Sequence, residues 1–295
     1  MKPARYARGV PYRSTSSRVA FDAAAVTDAG ERPHDEDTFL VTDLGRRAAI
    51  EPPSGLGHLE GAGFVLGVYD GCGHGPNGFA GVFAARVVHE RMCAGSVPRD
   101  AAALSHALGE AVAEAGRRLC RGKFGMGSTA TVAALVNRSL VLAHVGDTRA
   151  YVRRDGRLIQ LTRDHTLVAD IEALRNTPEA DVDSLTKQQR DLRALTAEQI
   201  ADLPRNVVMR ALGTIESVVP DMYGVELQSD DVLLLCTDGL YGRVDDAAIL
   251  AMLGGHDPDA TCRALVRAAF DAGAHDNLTA LVARSESGWP DFTHR

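Results

Sequence analysis

The sequence predicts an α+β fold in which antiparallel sheets are covered by two separate pairs of helices. Three observations lead there. Apolar, strand-like runs joined by minimal turns crowd between residues 128 and 162; two helical stretches precede them; two more helical stretches precede the final strand. Connections of a few residues force antiparallel pairing, because a parallel crossover needs roughly a dozen residues or more. Strands interleaved with helical pairs then make a layered domain.

Residues 1–18 carry Lys2, Arg5, Arg8, Arg13 and Arg18, no acid and a Ser/Thr cluster at 14–17, the pattern of a mobile basic arm. Strand patterning begins at VAFDAAAVTD (19–28) and returns in DTFLVTDL (37–44). The Gly/Pro-rich stretch IEPPSGLGHLEGAG (50–63) reads as a surface loop, and FVLGVYDG (64–71) as a buried strand. Helices follow over 79–95 and 99–120, both with apolar residues at three- and four-residue spacing. The strands 128–137, 139–147, 149–156 and 156–162 come next, with Asp155-Gly156 marking a two-residue hairpin.

The polar segment 166–205 reads as a helical excursion from the sheet. Thr177-Pro178-Glu179 fits an N-cap with proline at the first helical position, and Thr196 with Gln199 fits a capping box. Strands resume at 207–213, 223–228 and 231–239; helices 245–254 and 259–273 lead to the strand 278–284, and 285–295 form a tail.

With 45% apolar and 24% charged residues among 295, the chain has the composition of a soluble globule with a sizeable core. Its net charge of −7 argues against a nucleic-acid partner, which calls for a basic face. Cys72, Cys93, Cys120, Cys236 and Cys262 are odd in number and scattered without a C-x-x-C pair, so neither a disulfide framework nor a structural zinc site is expected. No apolar stretch approaches the roughly 18 residues of a membrane span, and no apolar segment follows the basic start. The expectation is a cytoplasmic protein.

Acids recur where apolar runs stop. Asp70 and Asp238, each followed by glycine, close two such runs; Asp147 closes a third; Asp276 stands just before the last strand; Glu36 and Asp37 open the second. Brought to about 4 Å of one another, such carboxylates would repel by roughly 4 kcal/mol per pair at an effective dielectric near 20. A divalent cation relieves that repulsion, and an all-oxygen donor set selects Mg²⁺ or Mn²⁺ over zinc. Asp-Gly after a strand is also ordinary turn chemistry, so the metal reading rests on the acids' number and on their convergence in space.

The ordered motifs resemble the metal-dependent protein serine/threonine phosphatases of the type 2C (PPM) family, bacterial single-domain branch. ERPHDEDTFL (31–40), VYDGCGHGPNG (68–78), GSTATVAAL (127–135), AHVGDTRAYVRRDG (143–156), NVVMRALG (206–213), LLCTDGL and HDNLTALV (275–282) stand in the family's order. The resemblance implies a four-layer α-β-β-α sandwich over residues 19–284, with a flap at 166–205 and a two-ion Mg²⁺ or Mn²⁺ centre at one end. Asp70 would bridge both ions, the Gly71 carbonyl would bind one, and Asp238 and Asp276 would hold the other. Glu36 and Asp37 would orient metal-bound water, the attacking group, and Asp147 would serve a third, weaker metal. Arg32 would clamp the phosphate, and His74 would be either the general acid or a loop residue capping the next helix.

Phosphorylated proteins opposing a Ser/Thr kinase are the implied partners. The other readings are a phosphatase-like binding module without turnover and a metal-dependent hydrolase of small phosphate esters. Three departures stand out: Asp35-Glu36-Asp37 replaces the family's usual Asn-Glu-Asp, the loop Asp70-Gly71-Cys72-Gly73-His74 spaces the histidine neither directly after Asp-Gly nor after the longer Asp-Gly-x-Gly-Gly stretch, and the segment 166–205 is longer than in many bacterial members.

Overall fold

In the computed structural model, residues 18–51, 56–73, 79–122, 125–137, 139–204 and 207–284 are described. One sheet runs β10 (Arg157–Gln160), β9 (Arg149–Arg154), β12 (Val232–Cys236), β13 (Leu278–Arg284), β1 (Val19–Asp28) and β4 (Gly57–Gly61). The other runs β11 (Asp221–Glu226), β8 (Ser139–Val145), β7 (Ala130–Val136), β5 (Phe64–Gly73), β2 (Asp37–Asp43) and β3 (Ala48–Ile50), with β6 (Met126–Ser128) pairing the far end of β5. Among the described residues every pairing between these strands is antiparallel.

The sheets face each other across an apolar interior holding Phe21, Phe39, Phe64, Leu66, Leu135, Leu142, Leu233 and Leu281. Phe21 and Phe64 meet edge-to-face there at 5.1 Å between ring centroids. Helices α1 (Phe79–Cys93) and α2 (Ala101–Arg121) cover the second sheet, and α7 (Asp246–Met252) and α8 (Pro258–Asp271) cover the first; this is the four-layer sandwich. In α2 the buried Leu104, Leu108, Ala111, Val112, Ala115 and Leu119 form one stripe at helical spacing, and Asp100 caps the start by accepting from the Ala103 N–H. The Asp155-Gly156 hairpin has positive φ at both turn residues, as the tight turn requires.

The polar excursion contains α3 (Leu167–Arg175), a 3₁₀ segment Glu179–Ser184, α4 (Lys187–Arg193) and α5 (Ala197–Ala201). The Thr196–Gln199 capping box forms, and an equivalent box joins Thr186 to Gln189. Thr177-Pro178-Glu179 departs from expectation: Pro178 is itself the cap residue of the 3₁₀ segment, without a side-chain cap.

Two stretches depart further. Residues 50–63 are not wholly loop, since Gly57–Gly61 hydrogen-bond to Val19–Ala23 as an edge strand whose polar residues need no buried face. Conversely, the expected strand 207–213 is absent among the described residues. The Met209 N–H donates to the His165 carbonyl, and Leu212 exchanges backbone bonds with Ser128. Its apolar residues therefore bridge two separate partners instead of running along one.

Candidate metal centre

The site begins with strand register. In the β2–β5 pair, Asp37 stands directly opposite Asp70, so both carboxylates share one face of the sheet. Asp70 does not end its strand as expected: β5 continues to Gly73 but changes partner there, from β7 to β6. Thr129 sits at that change. Its Oγ1 accepts from the Asp70 N–H at 3.1 Å, and its N–H donates to the Asp70 carbonyl at 2.8 Å, pinning the peptide on both sides.

The second half comes from the facing sheet. After β12, Thr237 caps the short helix α6 (Asp238–Tyr241), so Asp238 is a first-turn helix residue and not a strand end. The buried Thr237 hydroxyl donates to Asp37 Oδ2 at 2.7 Å, linking the two sheets, and accepts from the Thr279 N–H at 2.8 Å. Gly239 is needed because a Cβ there would lie 2.0 Å from the Asn277 carbonyl. Close packing of α6 on the approach to β13, not a sharp turn, explains that glycine. Gly71 is pressed likewise: its N–H donates to the Glu36 carbonyl, and a Cβ would stand 2.9 Å from that oxygen.

Asn277 was not singled out as a site residue by sequence reasoning. It accepts from the Glu36 N–H and donates to the carbonyls of Ala29 and His34, each at 2.9 Å, fastening the loop that carries Arg32 and Glu36 onto the start of β13. The adjoining Asp-Asn pair was the available signal; the loop it fastens lies some 240 residues away. Thr237 was missed in the same way.

These elements enclose a cavity of about 350 Å³ lined by Glu36, Asp37, Asp70, Asp238 and Asp276, together with Arg32 and Gly71. Asp147 is not on its wall; it is buried beside β8, where its charge still reaches Asp70 and Asp238. Arg32 is on the wall but engaged, its Nη2 2.9 Å from Asp276 Oδ2. His74 and the residues up to 78 lie outside the described residues.

The electrostatics are those of crowded anions. Burial, opposed by the Thr237 hydrogen bond, pushes Asp37 up to about 8. Asp70 is held well above the carboxylate range by burial and by Asp37, Asp238, Asp147 and Asp276. Burial and Asp238 push Asp147 up to about 7, and burial with Asp276 raises Asp238. Among the described residues, no three acidic, imidazole or thiol groups are already drawn in around a single point. The carboxylates line the cavity wall, and their shared, unneutralised charge and all-oxygen chemistry fit divalent Mg²⁺ or Mn²⁺.

Comparison with known proteins agrees with this geometry. The sequence model for "Protein phosphatase 2C" matches residues 78–177, and that for "Stage II sporulation protein E (SpoIIE)" matches residues 192–286. The chain is 34% identical over 160 residues to the serine/threonine protein phosphatase PstP of Mycobacterium tuberculosis, covering 54% of this chain and 27% of that protein. It is 33% identical over 165 residues to the protein phosphatase PhpP of Streptococcus pneumoniae, covering 55% and 60%. These matches thus span less than two thirds of the relatives' own length.

Among solved structures, a serine/threonine phosphatase of S. agalactiae shares the fold with a TM-score of 0.71 at 22% identity, over 90% of this chain and all of that one. The catalytic domain of PstP, solved in complex with two manganese ions, aligns with a TM-score of 0.64 at 26% identity over 91% and 99%. Ordered motifs, sequence relatives and a shared four-layer fold all make the chain similar to the protein phosphatase 2C (PPM) family.

Proposed function

We propose that this protein hydrolyses phosphoserine and phosphothreonine in proteins, using two Mg²⁺ or Mn²⁺ ions held in the carboxylate cavity. The observation that carries this reading is the register pair of Asp37 and Asp70, a buried and a part-buried acid opposed across neighbouring strands, with Asp238 and Asp276 on the same cavity wall. Arg32 is the one arginine or lysine among the described residues of that wall, so the cavity's charge calls for added cations.

In this reading Asp70 would serve both ions, the Gly71 carbonyl would serve one, and Asp238 and Asp276 would hold the other. Glu36 and Asp37, on the same wall, would orient metal-bound water. Asp147, buried and off the wall, would serve a third ion. Bound ions supply Lewis-acid charge and lower the pKa of water. Arg32, freed from Asp276, presents its planar fork to the phosphate oxygens. His74 keeps the role of general acid on sequence grounds alone. The catalytic unit is residues 19–284 with the flap at 166–205; residues 1–18 and 285–295 flank it. The substrate class follows that of the serine/threonine protein phosphatase PstP, and an opposing Ser/Thr kinase in the cytoplasm is the natural counterpart. Among the described residues no helix is long and apolar enough to cross a membrane.

A panel of phosphoserine, phosphothreonine and phosphotyrosine peptides, run beside nucleotides and an aryl phosphate in Mn²⁺, Mg²⁺ and EDTA, tests the proposal. Cation-dependent release from the first two peptides is expected. Release that survives chelation, or occurs only from the small esters, overturns it.

A further inference from the structure

The carboxylate of Asp35 lies behind the cavity, not on its wall, and both its oxygens are engaged by donors. Oδ1 accepts from the Asp37 N–H at 3.1 Å, and Oδ2 accepts from the Thr27 hydroxyl at 2.8 Å. Among the described residues it makes no ion pair; its charged neighbours are Asp28 and Asp37. A half-buried acid surrounded by acids costs stability, so its presence needs a compensating role.

The hydrogen bonds supply one. An ionised carboxylate has no proton to give, so the Thr27 proton is committed to Asp35. Thr27 Oγ1 then accepts from the Thr279 hydroxyl, 2.9 Å away and directly opposite in the β1–β13 register. Thr279 is also within hydrogen-bond reach of Asp37, so its single proton is divided between Thr27 and that carboxylate, and the relay weakens its bond to Asp37. Asp37 keeps the Thr237 hydroxyl as its undivided donor, at 2.7 Å, and has a second negative charge at its back. An amide at position 35 would reverse the relay: its N–H would donate to Thr27, Thr27 to Thr279, and Thr279 to Asp37, quenching the charge that faces the cavity.

We propose that Asp35 is a positioning residue that raises the divalent-cation affinity of the carboxylate cavity by acting through Asp37. The inference rests on the metal reading of that cavity and names the residue that tunes it. Groups behind metal ligands commonly change affinity by about 10–100-fold when altered.

Calorimetric titration of Mn²⁺ into the metal-stripped full chain tests it, with Asp35→Asn and Thr27→Val beside the wild type. Asp35→Asn is expected to bind Mn²⁺ about tenfold more weakly, while its metal-free melting temperature stays level or rises because an uncompensated charge is gone. Thr27→Val keeps the charge but breaks the relay, and a smaller weakening is expected. Unchanged affinity in Asp35→Asn overturns the proposal, as does a lower metal-free melting temperature, which marks a plain structural role. Unchanged affinity in Thr27→Val overturns the relay. A wild type that does not bind Mn²⁺ overturns the metal reading itself, a result distinct from the other three.

Discussion

Arg32 and Asp276 hold each other at 2.9 Å between Nη2 and Oδ2, so the residue assigned to phosphate is paired with a residue assigned to metal. Both are about half exposed, and ion pairs of that kind contribute little, typically about 0–1 kcal/mol. Were Asp276 to hold a cation, Arg32 would leave it at small cost and be free to present its fork to a phosphate. Arg32→Ala is expected to lower kcat/KM on a phosphopeptide by roughly ten- to a hundredfold, the worth of a charged hydrogen bond of about 1.5–3 kcal/mol. Mn²⁺ affinity should hold or tighten, because Asp276 loses its competitor. Weaker Mn²⁺ binding in that variant would count against the assignment.

Cation loading should appear as stability. Asp70 is crowded by Asp37, Asp238, Asp147 and Asp276, so the metal-free fold carries repulsion that an ion removes. At free Mn²⁺ about a hundredfold above Kd, the gain is about 2.7 kcal/mol, visible as a higher melting temperature and lost on adding EDTA. Asp70→Asn is expected to melt higher than the wild type without metal, to show no Mn²⁺-dependent rise, and to lose activity. A Mn²⁺ shift of wild-type size in Asp70→Asn would refute its place as a ligand.

The same crowding sets a pH dependence. Burial raises Asp37 to about 8 in the folded protein, above its unfolded carboxylate value. A group raised on folding gives stability that is complete below its unfolded pKa and lost as pH rises through the folded one. His144 and His165 are lowered by burial, so their stabilisation has the opposite slope and is complete once pH exceeds the unfolded histidine value near 6.5. Between about pH 7 and 9 the acid term therefore stands alone among these groups. Metal-free protein should melt lower at pH 9 than at pH 7, and Asp37→Asn should flatten that slope. A wild-type slope in the variant would exclude Asp37 as its source.

How much of this was legible follows from how far each residue's role is local. The runs 37–44 and 64–71 are apolar and flanked by acids, so both strands and the acids Asp37 and Asp70 could be read directly; their register could not. Residues 57–61 were hidden because Leu59 is the one large apolar side chain of this five-residue edge strand, too few for alternation to register. VVMRALG misled for the opposite reason: its apolar residues are real, but its backbone partners are Ser128 and His165 rather than a neighbouring strand. Asp238 read as a strand end because the helix that follows is a single turn, too short for periodicity to register. Thr237 and Asn277 act on residues 200 and 241 positions away, and only the folded chain brings those pairs together.

Asn277 offers the sharpest test of how the loop 29–36 is held. Its side chain is buried, with one acceptor used by the Glu36 N–H and its amide shared by the carbonyls of Ala29 and His34. Asn277→Asp keeps the shape and the acceptor but sets a carboxylate oxygen against two carbonyls. Each buried group left without its partner costs about 1–3 kcal/mol, and the added charge falls beside Asp276. The expected result is a lower melting temperature, faster amide hydrogen exchange confined first to residues 29–36, and a fall in kcat/KM as Arg32 and Glu36 lose their footing. If the extra carboxylate acted only as another ligand, Mn²⁺ binding would tighten and exchange in the loop would slow, so the direction of the exchange change decides between fastening and ligation.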